Sequence, residues 1–62
     1  MTEYTVTRDS GEITIHEADH DSPALVTFRG FEGEELFDMF VTAAAASGTT
    51  TLWDANRAEY LT

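Results

Sequence analysis

His16-Glu17-Ala18-Asp19-His20 matches H-E-x-x-H, the pattern of the zinc proteases. On a helix, that spacing brings two imidazoles to one face, where they hold zinc, and sets the intervening glutamate beside the metal-bound water. The flanks here oppose a helix. Glu12-Ile13-Thr14-Ile15 alternates as a strand does, and Asp21-Ser22-Pro23 opens a turn one residue past His20. The expected structure is a solvated loop between strands, with no more than an adventitious zinc, nickel or calcium contact from its carboxylates and imidazoles. A small metal-binding or hydrolytic protein using His16 and His20 is the most distant of the functional readings.

Other catalytic patterns are weaker still. Ser10, Ser22 and Ser47 fall in turns or at a helix end with no histidine arranged beside them, and the chain has neither cysteine nor lysine to serve as a nucleophile. Gly30-Phe31-Glu32-Gly33 would set a carboxylate where a phosphate loop needs backbone amides. Glu34, Glu35 and Asp38 lie on the polar side of the helix described below, where solvation accounts for them. A pocket of several hundred Å³ is also hard to build in 62 residues. The reading is therefore of a non-enzyme, with no catalytic, cofactor-binding or metal-ligating residue assigned and no cofactor.

Charge narrows the partners. Twelve acidic residues stand against three arginines, Arg8, Arg29 and Arg57, for a net charge of -9. No basic patch can be assembled from three separated cations, so direct binding of DNA, RNA or anionic membrane surfaces is disfavoured. The dispersed carboxylates have two explanations: hydration of the surface in concentrated salt, or imitation of DNA phosphates to inhibit a nucleic-acid-binding enzyme. Salt adaptation leads, because charge of one sign acts first on solubility. No run approaches the roughly 20 apolar residues of a membrane span, and the first residues lack the pattern of a secretion signal. A cytoplasmic location is expected.

The elements that must position these groups follow from periodicity. Tyr4 and Val6 alternate with Thr5 and Thr7, and Ile13 and Ile15 flank Thr14; Asp9-Ser10-Gly11 supplies the turn between two strands. A polar loop from Glu17 to Pro23 leads to a third strand in ALVTFRGF, whose apolar residues on both faces suit a central position. From Glu34 to Ser47 the period becomes helical. Phe31 and Leu36 are spaced as a hydrophobic staple, Glu34 and Glu35 complement the helix dipole, and Gly48 ends the helix. Thr49 to Trp53 reads as a further strand. In the tail, Asp54-Ala55-Asn56 turns the chain into a short last strand ending at Tyr60 and Leu61, in preference to a helical turn capped by Asp54.

The order β-β-β-α-β, with a further C-terminal strand, defines one α+β domain over residues 1–62: a small two-layer sandwich with an antiparallel or mixed sheet and one amphipathic helix on one face. For so short a chain, burial contributes on the order of 90 kcal/mol against about 90 kcal/mol of ordering entropy, so a monomer is marginal. Met39, Ala43, Leu36, Phe40, Ala44, Phe37 and Val41 occupy an arc of about 200°, about twice what one sheet needs to cover. The surplus points to a homodimer or another protein partner, with Phe37, Val41, Leu25 and Trp53 as the interface candidates. The leading functional reading is a non-enzymatic acidic interaction or regulatory module, homodimeric and salt-adapted.

Overall fold

A computed structural model describes residues 2–62. Five strands, β1 (Thr2–Asp9), β2 (Glu12–His16), β3 (Ala24–Arg29), β4 (Thr50–Asp54) and β5 (Glu59–Tyr60), and one helix, α1 (Gly30–Ser47), make an α+β domain. The strands lie in the order β3-β2-β1-β4-β5. β1 and β4 are parallel and every other pairing is antiparallel, so the sheet is mixed.

The hairpin between β1 and β2 turns on Ser10 and Gly11, at φ 51 and 80. Two successive positive φ values match the right-handed twist of the strands they join, and they set Asp9 opposite Glu12. That register puts Val6 across from Ile15, while the parallel pairing puts Tyr4 beside Leu52. Because side chains alternate along a strand, Val6, Ile13, Ile15 and Leu52 all face the helix and form the core with Phe37 and Ala44. Phe28 joins them at the rim, edge-on to Phe37 at 5.9 Å and tilted against Phe40 at 6.4 Å.

Three sequence expectations are corrected. β3 is an edge strand; β1 holds the centre, with β2 on one side and β4 on the other. The helix begins at Gly30 and not at Glu34, directly after extended Arg29 at φ -132. Gly30, at φ 66, makes that abrupt turn, a conformation that a side chain would oppose. Phe31 consequently lies inside the helix with 88% of its surface exposed, and no staple to Leu36 forms. The arc is also rotated: Gly33, Phe37 and Ala44 are buried, Phe40 and Val41 are half-buried, and Leu36 and Met39 face solvent. Gly48, at φ 71, ends the helix where expected.

Gly33 explains the rotation. A Cβ built there would meet the Phe28 carbonyl carbon at 2.8 Å, so helix and strand touch backbone to backbone. Gly33→Ala gains about 1 kcal/mol of helix propensity and loses roughly 1–3 kcal/mol to overpacking. Overpacking wins because the obstacle is backbone. Urea unfolding of Gly33→Ala should show a lower midpoint with an unchanged slope.

Candidate functional site

The H-E-x-x-H residues do not share a helix face. His16 ends β2, and residues 17–23 form a loop that closes on itself. The Glu17 amide donates to the Pro23 carbonyl at 3.2 Å, and the Ser22 amide and hydroxyl both donate to the Asp19 carbonyl. His16 is held from both sides. Its Nδ1 lies 3.1 Å from the Ser22 carbonyl, which can only accept, so Nδ1 carries a proton; Nε2 lies 2.9 Å from the Thr7 hydroxyl. His20 turns away toward Asp21, at 3.4 Å. Among the described residues, no three histidine or carboxylate side chains converge on one point. The loop folds over the sheet face opposite the helix, where the Thr5 hydroxyl donates to the Ala18 carbonyl and Thr5 becomes buried.

The four interface candidates separate. Phe37 is 4% exposed and belongs to the core, so it has no surface to offer a partner. Val41 is half-buried against the same core. Trp53 is half-buried on the open sheet face, edge-on to Tyr60 at 4.8 Å. Only Leu25 is widely accessible, at 54%. The large apolar side chains that do reach solvent are Phe31, Leu36 and Met39 on the helix and Leu25, Val26 and Tyr60 on the sheet. Periodicity had placed Leu36 and Met39 in one wide apolar arc with the core residues, without saying which part of it was surplus.

Sequence reasoning missed a buried carboxylate. Asp54, at the end of β4, is completely buried. Its Oδ1 accepts from the amides of Asn56 and Arg57, at 3.0 and 3.1 Å, and its Oδ2 accepts from Arg8 Nε at 3.2 Å. The Asn56 side chain continues the ladder beside it, accepting from the Arg8 amide and donating to the Arg8 carbonyl. The Arg8 guanidinium lies 5.3 Å above the Phe37 ring, within cation–π range. Asp54 thus clamps the turn into β5 and ties β4 to β1 across the core. A cleft of about 340 Å³ opens beside this clamp, with Arg8 and Arg57 facing Glu34 and Asp38. The only available signal was the turn-forming pair Asp54 and Asn56 at the end of an apolar run.

On the same edge, in β5, the Tyr60 hydroxyl donates to Glu3 Oε2 at 3.1 Å. That hydrogen bond, followed by the Glu3 charge, holds the phenol above the ordinary tyrosine range, because both favour the neutral form. No family model, curated protein or solved structure matches this chain.

Two outcomes follow from these contacts. Asp54→Ala should destabilise the fold by about 3 kcal/mol in urea titrations, the lower end of the range for breaking a buried pair, because Arg8 remains partly solvated. Asp54→Asn, which keeps an acceptor for the two amides, should lose less. For Tyr60, a raised folded pKa means a contribution that is present at neutral pH and disappears as alkali carries the solution through the folded pKa. In a Tyr4→Phe background, ultraviolet titration should show the Tyr60 transition moving down in Glu3→Gln; an unmoved transition would disprove the coupling.

Proposed function

We propose that this chain is a non-enzymatic, acidic protein-interaction module that works as a homodimer in the salt-rich cytoplasm to which its composition is suited. The observation that carries the reading is the outer surface of α1, where Phe31, Leu36 and Met39 are 88%, 53% and 67% exposed. Single exposed apolar residues are ordinary on any protein. Here Met39 stands with Ala43 and Ala46 beside a shallow apolar groove, on a helix whose other face already fills the core. An apolar groove on so acidic a chain favours a partner over bare hydration. Leu36 and Met39 also share the outer face with Glu32 and Glu35, which breaks the row of carboxylates that mimicry of DNA would require. No helix among the described residues is long and apolar enough to cross a membrane.

Salt should promote the association, since two copies at -9 each repel one another until ions screen them over about 10 Å at 0.1 M. Light scattering coupled to size-exclusion chromatography in molar KCl should give about twice 6.9 kDa, with the mass falling toward the monomer as salt is diluted. A monomeric mass at millimolar protein concentration in molar KCl would overturn the reading.

A further inference from the structure

Resting on the homodimer reading, we propose that two copies join edge to edge through β3, antiparallel, to form one continuous sheet with both helices on the same side. The two edges of the sheet are unlike. β5 has only two residues, and a short edge strand of that kind is a common protection against unwanted pairing. β3 has six, with no proline and no lysine. Its single irregularity lies at its start: Ile15 faces Val26 while His16 faces Ala24, which leaves Leu25 as an extra residue and Val26 to Arg29 regular.

Charge marks the same edge. β1 carries Glu3 and Asp9, β2 carries Glu12, β4 carries Asp54 and β5 carries Glu59, whereas β3 has no carboxylate at all and ends in Arg29. On a chain of net charge -9, this is the strand along which a second copy meets least repulsion.

Symmetry then sets the register. A two-fold axis between identical antiparallel strands stands perpendicular to the sheet, so residues that meet must point to the same face. Centring the axis on Thr27 sets Thr27 opposite itself and Val26 of one copy opposite Phe28 of the other. Thr27 already continues the row Thr7–Thr14 on the open face, 3.4 Å from Thr14 hydroxyl to hydroxyl, and the pairing extends that row across the dimer. On the helix side, Val26 is 39% exposed although its neighbour Ile15 is buried. The second copy covers Val26 with Phe28.

The absence of native cysteine makes the test direct. Under mild oxidation in molar KCl, Thr27→Cys should form a covalent dimer at least about tenfold faster than Glu59→Cys on the opposite edge, because pairing raises the local thiol concentration. Thr27 is exposed, so Thr27→Lys should keep the circular dichroism of the fold while shifting the mass toward monomer. A dimer that persists in Thr27→Lys, or one that cross-links through Glu59→Cys or Met39→Cys but not Thr27→Cys, would overturn the edge pairing and leave the homodimer standing. A monomer under all conditions would overturn both.

Discussion

The contact of Gly33 with the Phe28 backbone governs the layout of the whole molecule. The helix leaves β3 without a linker, turns at Gly30, and within its first turn is pressed against the strand it came from. A helix anchored that closely at one corner has little freedom in its angle or its rotation. It crosses the sheet toward β4 with Phe37 and Ala44 directed inward, so Leu36 and Met39 are directed outward by geometry, whatever their hydropathy. The core and the exposed apolar strip are thus two results of a single backbone approach.

The other edge of the sheet is held by different physics. Near β5 a buried carboxylate works beside Leu61 and the Trp53–Tyr60 pair. Asp54 gathers two turn amides and one guanidinium, and the Asn56 side chain stands in for a strand at the end of β1. Each buried polar atom of the cluster has a partner, as burial of a charge in so small a domain demands. Arg8 links the two regimes, bonded to Asp54 through Nε and lying over the Phe37 ring.

Local signals in the sequence were reliable and tertiary ones were not. The Ser10-Gly11 turn, the strand alternation of β1 and β2, the helical period of α1 with its end at Gly48, and the short last strand were all legible, since each depends on neighbours in the chain. The place of β3 was not. Leu25 opposite in phase to Val26 and Phe28 suggests burial on both faces, but Leu25 is the extra residue of a bulge at an edge. The helix start at Gly30 was not legible either, because Gly30 is required by a turn at φ 66 and Gly33 by the approach to the Phe28 backbone, neither of which local sequence encodes. Beyond its turn-forming pairing with Asn56, Asp54 had nothing to announce its burial, which depends on Arg8, 46 residues away.

That separation also bears on how the chain reaches its fold. The central strand is the first in sequence, and its two neighbours come from very different distances. β2 follows at once across a two-residue turn, so the β1-β2-β3 meander can form from contacts close in the chain. Its apolar face then stays wet until α1 docks and β4 slides in parallel on the far side of β1. Closing so long a loop carries an entropic penalty before any contact offsets it, and chains dominated by such pairings fold slowly for their size. The single parallel pair therefore sets the pace for a domain whose remaining elements are quick to assemble, and until it forms, the meander presents an unpaired strand on each side.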